Sequence, residues 1–152
     1  MLVVIAEKEE LELVEELGYS KFPVLITGVG ALNVMYALKN IPRDTTILNI
    51  GYCGSNKIEI GTKVSVASVY THHEKANFKE LAESCLIAEK HDALAPCYTS
   101  TDFVTKTKIK EPCVFDMELA FICSMFDKVY SIKVVSDNLN KKEYDNKIKG
   151  VK

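Results

Sequence analysis

Residues 2–33 read LVVIAEKEELELVEELGYSKFPVLITGVGALN, two apolar runs separated by a segment with helical periodicity. The run Leu2–Ala6 is rich in β-branched residues and is typical of a strand covered on both faces. Apolar residues recur at helical spacing over Glu7–Leu17, and Gly18 is placed to end that helix. Phe22–Thr27 is a second apolar run. The stretch therefore predicts a strand–helix–strand unit with parallel strands.

The same alternation continues along the chain. Helices are predicted at Ala31–Asn40 and Asp116–Phe126, with a short polar helix at the end; strands are predicted at Thr46–Ile50, Lys63–Thr71, Cys97–Ser100 and Val129–Val135. Gly51 and Gly54 are expected to stop the strand that begins at Thr46. His72–Pro96 has the weakest pattern, with a short helix predicted over Phe78–Glu83. We expect a single α/β domain spanning residues 1–152, with a central, mostly parallel mixed sheet flanked by helices.

Composition excludes several classes of protein. The formal net charge is −2, so there is no overall positive field to attract nucleic acid. The basic end, residues 141–152, is interrupted by Glu143 and Asp145. No stretch approaches the ~20 apolar residues of a membrane span, and Leu2–Ala6 is too short for a signal peptide. The five cysteines form no paired motif and are expected to be reduced, as in a cytoplasmic protein.

Candidate ligand-binding residues follow the predicted strands, because ligands of open α/β sheets bind at the carboxyl ends of the strands. Gly28-Val29-Gly30 could hold a substrate group on its backbone or simply permit a tight turn. Asp116-Met117-Glu118 could serve a site or only stabilise a helix N-terminus. The acidic residue in Ser136-Asp137 ends an apolar strand, where a turn would also tolerate it. Each signal is weak alone.

Taken together and in order, these segments resemble the nucleoside phosphorylase/nucleosidase superfamily. They are AEKEEL at 6–11, TGVGALN at 27–33, NIGYCGS at 49–55, GTKVSV at 61–66, STDFV at 100–104, FDMELA at 115–120 and VVSD at 134–137. The resemblance extends from Met1 to about Asn140 and is greatest to the methylthioadenosine/S-adenosylhomocysteine nucleosidases. The Met-Glu and Ser-Asp pairs are its most specific part.

The resemblance implies roles for three carboxyl groups in breaking a nucleoside's N-glycosidic bond. Asp137 matches the acid that protonates purine N7, which requires a desolvated site that keeps the proton on. Glu118 matches the glutamate that accepts hydrogen bonds from the ribose hydroxyls and opposes the positive charge developing at the anomeric carbon. Glu10 matches the glutamate that activates water. The resemblance implies further substrate-binding residues, namely Met117 on the sugar, Phe103 stacked on the base, Val104 at the base edge, and Ser136, Gly54 and Gly28.

The nucleophile distinguishes hydrolysis from phosphorolysis. Phosphorylases of the superfamily hold phosphate with arginine and a hydroxyl residue, whereas Asn49 and Tyr52 stand at those positions here. Arg43 is the only arginine in the chain, and Lys133 stands where relatives often have arginine. Hydrolysis of a purine nucleoside is therefore favoured; a phosphorylase and an inactive nucleoside-binding homologue are the alternatives. The resemblance also implies a homo-oligomer, with a dimer favoured. No metal or organic cofactor is expected, since the cysteines and histidines form no ligand set.

Overall fold

The structure is a computed structural model, and it describes residues 1–72, 82–89 and 91–148. The strands are β1 Leu2–Ile5, β2 Val24–Ile26, β3 Thr46–Ser55, β4 Lys63–Thr71, β5 Ala82–Ser84, β6 Ala93–Thr99, β7 Val114–Asp116 and β8 Lys128–Asp137. The helices are α1 Leu11–Glu16, α2 Ala31–Leu38, α3 Leu119–Met125 and α4 Lys141–Ile148, and a 3₁₀ turn at Lys8–Glu10 leads into α1.

Within the described residues, all the strands belong to one mixed sheet. The strand order is β2-β1-β3-β7-β6-β4-β5, and β8 pairs with both β3 and β4, so that β3, β7, β6, β4 and β8 close into a ring. Five of the pairings are parallel: β1–β2, β1–β3, β3–β8, β4–β6 and β6–β7. Three are antiparallel: β3–β7, β4–β5 and β4–β8. The predicted α/β class with a mostly parallel mixed sheet is confirmed.

Helices pack on both faces of the sheet, because successive strand residues point to opposite sides. Val3 and Ile5 pack with Leu13 and Val14 of α1. Val4, between them, belongs to a second cluster that includes residues of α2 and α3. The five cysteines are all buried and none forms a disulfide, which is typical of small apolar side chains in a core. None of the described helices is long and apolar enough to cross a membrane.

Several predicted element boundaries are wrong. β3 does not stop at Ile50 but continues through both glycines to Ser55, because β8 pairs with it along its length. The helix expected from Asp116 begins at Leu119, and Asp116 itself ends β7, a strand that the sequence did not predict. The helix predicted over Phe78–Glu83 is wrong at residues 82–83, which lie in β5. The rest of that segment, 78–81, lies outside the described residues.

Candidate active site

An open cavity of about 410 Å³ lies at the carboxyl ends of the central strands. Its walls come from the loop after β1, the second half of β3, the end of β7 and helix α4. A smaller cavity of about 30 Å³ adjoins it, and Gly54, Phe103 and Met117 line both. The larger volume falls in the ordinary range for a small organic ligand, roughly 300–1,000 Å³.

Glu10 is held rigidly at the floor of the larger cavity. Its side chain enters from the turn before α1 and is only 5% exposed. The backbone N–H groups of Ala6 and Glu7 donate to Oε1 at 3.0 Å each, and the N–H of Tyr52 donates to Oε2 at 2.8 Å. Burial raises the pKa of Glu10 above its ordinary value, although nearby Lys133 and the three N–H donors oppose the rise. The carboxyl group therefore links the loop after β1 to β3 in one fixed orientation.

Two glycines of β3 make room for carboxyl groups. A Cβ atom on Gly51 would lie 2.7 Å from Oε2 of Glu10, and one on Gly54 would lie 3.0 Å from Oδ2 of Asp137. The first distance is too short for a real contact, so a side chain at Gly51 would displace the glutamate. The glycines expected to end the strand instead allow two acidic groups to approach its backbone closely.

Asp137 ends β8 and is fully buried against the smaller cavity. The Ser136 hydroxyl donates to Oδ1 at 2.9 Å, and the N–H groups of Leu139 and Asn140 donate to Oδ2 at 3.0 and 3.3 Å. Burial raises the pKa of Asp137 above its ordinary value, while those three donors pull it down. The net direction favours a carboxyl group that retains its proton to higher pH than a solvated aspartate.

Glu118 joins two loops at the mouth of the larger cavity. It precedes α3, and the N–H of Gly30, before α2, donates to its Oε2 at 2.9 Å. Burial and the negative charge of Asp116 raise the pKa of Glu118 to about 8, against the pull of Lys133 and the Gly30 N–H. Gly30 has φ +90°, a left-handed conformation that favours glycine. The loop that contains Gly28 and Gly30 thus contributes a backbone N–H donor to the site.

A buried ion pair underlies these carboxyl groups. Lys133 Nζ lies 3.1 Å from Oδ2 of Asp116, and both side chains are at most 2% exposed. The Thr99 hydroxyl donates to Oδ1 of Asp116 at 2.5 Å, and the Leu119 N–H donates to Oδ2 at 2.7 Å. Burial opposes ionisation of both partners, but their mutual attraction lowers the pKa of Asp116 and raises that of Lys133. Sequence reasoning missed this pair, although a lysine inside the apolar run of β8 was a signal.

Helix α4 forms one wall of the larger cavity, a role that the sequence did not indicate. The Tyr144 hydroxyl donates to Oε2 of Glu7 at 2.9 Å, which ties α4 to the loop after β1. The rings of Tyr144 and Phe103 meet edge to face with centroids 5.3 Å apart. Lys141 Nζ lies 5.2 Å from the Phe103 centroid and 5.1 Å from that of Tyr144. Burial and the hydrogen bond to Glu7 raise the pKa of Tyr144.

The structure brings most of the predicted site residues to these two cavities. The larger cavity is lined by Glu10, Glu118, Met117, Phe103 and Gly54, and the smaller by Asp137 and Val104 together with the shared residues. Ser136 lies behind the acid, where its hydroxyl contacts Asp137 and the carbonyl of Cys53. Gly28 lines neither cavity; its neighbour Val29 lines the larger one. A Cβ on Gly28 would meet the Asn33 side chain.

Asn49, which stands where the phosphorylases of the superfamily hold phosphate, is engaged in contacts within the protein. Asn49 is buried, donates to the Val4 carbonyl at 3.2 Å and accepts from the Ser131 hydroxyl at 3.0 Å. Arg43 pairs with Asp127 on the exposed surface and lines neither cavity. Across residues 1–72, 82–89 and 91–148, no group of three His, Cys, Asp or Glu side chains is arranged to hold a metal ion.

Sequence comparisons give no relative, since neither a scan against family models nor a search of curated proteins finds a match. Comparison with solved structures does find similar proteins. A methylthioadenosine/S-adenosylhomocysteine nucleosidase (MTAN) from Chlamydia trachomatis matches with a TM-score of 0.79 at 18% identity, covering 97% of this chain and 89% of that one. An aspartate-to-asparagine variant of the same protein bound to methylthioadenosine matches at 0.74 and 19% identity, over 97% and 89%.

The Helicobacter pylori enzyme is a third match. It is a 5′-methylthioadenosine/S-adenosylhomocysteine nucleosidase complexed with a substituted pyrrolidin-3-ol, and it superposes with a TM-score of 0.74 at 12% identity, covering 98% of this chain and 90% of that one. At identities this low, similarity establishes architecture. The chain has the fold of the methylthioadenosine/S-adenosylhomocysteine nucleosidases, as the sequence resemblance implied.

Proposed function

We propose that the protein hydrolyses the N-glycosidic bond of a purine nucleoside, such as 5′-methylthioadenosine or S-adenosylhomocysteine, and releases the base. One observation carries the proposal. Glu10 and Glu118 line a nucleoside-sized cavity, Asp137 lines the cavity next to it, and Phe103 and Met117 belong to both. This arrangement supports one ligand with its base towards Asp137 and its sugar towards the two glutamates. The shared fold with nucleosidases supports the same function.

Each of the three carboxyl groups performs one task in the proposed mechanism. Asp137 gives its proton to N7 of the purine, so that the base leaves as a neutral molecule. Glu118 accepts hydrogen bonds from the ribose hydroxyls and, once ionised, opposes the positive charge that develops on the sugar. Glu10 takes a proton from the water that attacks the anomeric carbon. The fixed orientation of Glu10, with three backbone donors, supports a positioning role for this base.

Water, rather than phosphate, is the proposed nucleophile. Phosphate binding generally uses arginine forks or uncommitted cations near the reacting carbon. The chain's one arginine lies on the surface beside Asp127, and Lys133 is bound to Asp116. Asn49 is engaged with Val4 and Ser131. The described residues that line the two cavities therefore include no arginine to clamp a phosphate, and a phosphorylase is disfavoured.

We further propose that the active form is a cytoplasmic homodimer of a single-domain chain. An apolar patch covers the outer side of β2 and α2: Ile26, Val29, Leu32, Met35 and Tyr36 are 37–84% exposed. Patches of this kind on monomers commonly mark interfaces. Val29 also lines the larger cavity, so a second copy seated on the patch would border the site. Light scattering should give a dimer mass for the protein and a monomer mass for Leu32→Glu.

The proposed reaction is tested by incubating purified protein with methylthioadenosine, S-adenosylhomocysteine, adenosine and inosine, with and without phosphate, and measuring free base. We expect release that does not depend on phosphate. Asp137→Asn should lower kcat by about 10² or more, because the base must then leave unprotonated. Asp127→Asn, at an exposed ion pair, is the matched control and should leave kcat unchanged. Release only with phosphate would establish a phosphorylase, and binding without release an inactive homologue.

A further inference from the structure

We propose that Glu7 and Lys141 select nucleosides whose 5′ substituent carries both an ammonium and a carboxylate group, in preference to an uncharged thioether. The inference rests on the proposed function and concerns one end of the same cavity. With the base towards Asp137 and the sugar towards Glu118, the 5′ carbon faces the remaining walls, which are the loop after β1 and helix α4.

Those remaining walls carry charge of both signs. Glu7, Lys141 and Asp145 line the larger cavity there, together with the polar ring of Tyr144. An uncharged methylthio group would gain little from such walls and would remove water from ionic groups, which costs free energy. An amino-acid end offers an ammonium group to a carboxylate and a carboxylate to an ammonium group. The charges of the cavity therefore complement a zwitterion.

The charged groups are also held in place. The Tyr144 hydroxyl donates to Oε2 of Glu7 at 2.9 Å, which orients that carboxylate at the cavity wall. Lys141 Nζ lies over two aromatic rings, 5.2 Å from the centroid of Phe103 and 5.1 Å from that of Tyr144. Its ion pair with Asp145 is loose, at 3.6 Å, and the lysine side chain is 61% exposed. A ligand carboxylate can therefore reach the ammonium group without breaking a buried contact.

The test is the ratio of kcat/KM for S-adenosylhomocysteine, which has a zwitterionic 5′ end, to kcat/KM for methylthioadenosine, which has none. One well-placed charge contact corresponds to about a tenfold change. We expect a wild-type ratio of about ten or more, and a ratio that falls about tenfold in Lys141→Gln and in Glu7→Gln. Lys141→Arg should retain the ratio. Lys142→Gln, exposed on the same helix and outside both cavity walls, is the control and should not change it.

The ratio should also fall as salt is raised, because exposed charges are screened. A wild-type ratio near one, or a ratio that neither variant changes, would overturn the inference while the hydrolysis itself stands. If neither nucleoside releases base, the proposed function fails instead. The preference is then measured as the ratio of dissociation constants for the same two nucleosides by calorimetry, with the same variants; a ratio near one would overturn it.

Discussion

The cavity has a floor and a rim that are built in opposite ways. The floor is Glu10, Asp116 and Asp137, with Lys133 paired to Asp116 beneath it; all four are at most 7% exposed and lie on or beside central strands. The rim is Glu7, Lys141, Tyr144 and Asp145, which lie on a loop and on an eight-residue helix. Each region contains an ion pair. The floor pair is 3.1 Å long and at most 2% exposed, whereas the rim pair is 3.6 Å long and 61% and 37% exposed.

This contrast separates reactivity from selectivity. Floor carboxyl groups receive hydrogen bonds from backbone N–H groups of β3 and of the residues that follow β1 and β8. Such groups are preorganised, and burial raises the pKa values of Glu10 and Asp137, the two floor carboxyl groups that are proposed to exchange protons. The rim depends on side-chain contacts at the surface. We therefore expect substitutions in the rim to alter substrate preference at little cost in stability, and substitutions in the floor to cost both.

The largest expected effect comes from breaking the floor ion pair. In Lys133→Met, Asp116 is left buried without its counter-ion, which typically costs about 3–5 kcal/mol. For a chain of this size the loss corresponds to a fall in Tm of roughly 8–15 °C. Thermal unfolding followed by circular dichroism measures it.

The matched control is an ion pair on the surface, Arg43 with Asp127. Its partners are 2.9 Å apart but 65% and 58% exposed. Pairs of this kind contribute about 0–1 kcal/mol, so Arg43→Met should lower Tm by no more than about 3 °C. Equal losses of Tm in the two variants would show that a buried ion pair contributes no more stability than an exposed one. The contrast between the floor and the surface would then be wrong.

The sequence predicted the architecture well because strand and helix periodicities are local. β1, β2, β4, β8 and the helices α1 and α2 lie close to their predicted places. β7 was missed because three residues are too few to show a period. The end of β3 was misplaced because glycine is usually read as a strand breaker, and its other use, close approach of a side chain, depends on Glu10 and Asp137 from distant parts of the chain.

The site was predicted in part, and for a similar reason. Glu10, Glu118 and Asp137 follow strand ends, where topology alone brings residues together. Their roles remain predictions. Tyr144 was missed because one aromatic ring on a short polar helix gives no signal of the surface on which it packs. Gly28 stays a prediction: it lines neither cavity, whereas Val29 lines the larger one and the Gly30 N–H donates to Glu118.

The second largest expected effect is a stabilisation of the folded protein by Glu118→Gln, and its size depends on pH. The pKa of Glu118 is about 8 in the folded protein against 4.5 for an ordinary glutamate. Below pH 4.5 both folded and unfolded chains are protonated there; as pH rises to 8 the unfolded chain loses the proton first, so the folded state loses stability. The negative charges of Asp116 and Glu10 disfavour ionisation of Glu118, and the positive charge of Lys133 favours it. Glu118→Gln keeps an acceptor for the Gly30 N–H and carries no charge.

We therefore expect Glu118→Gln to raise Tm by about 5 °C at pH 9, with a gain that shrinks as pH falls towards 4.5. Activity should fall at every pH, as in other sites where function is gained at the expense of stability. Differential scanning calorimetry across this pH range measures the difference. Glu15→Gln, exposed on α1, is the control. A gain that stays constant with pH would mean that the ionisation of Glu118 is not its source.

The smallest expected effect tests whether helix α4, which carries most of the rim, can open locally while the strands of the floor stay folded. Tyr144→Phe keeps the ring against Phe103 and removes the hydrogen bond to Glu7, a change worth about 1 kcal/mol. Because that bond ties α4 to the loop after β1, we expect amide hydrogen exchange to quicken about fivefold in α4. Amides of β3 and β8 should keep their protection, since their ladder does not involve Tyr144. Asp127→Asn, at the exposed surface pair with Arg43, is the control and should change neither region. Faster exchange in β3 as well as in α4 would show that floor and rim open as one unit, and selectivity at the rim could then not change independently of the chemistry beneath it.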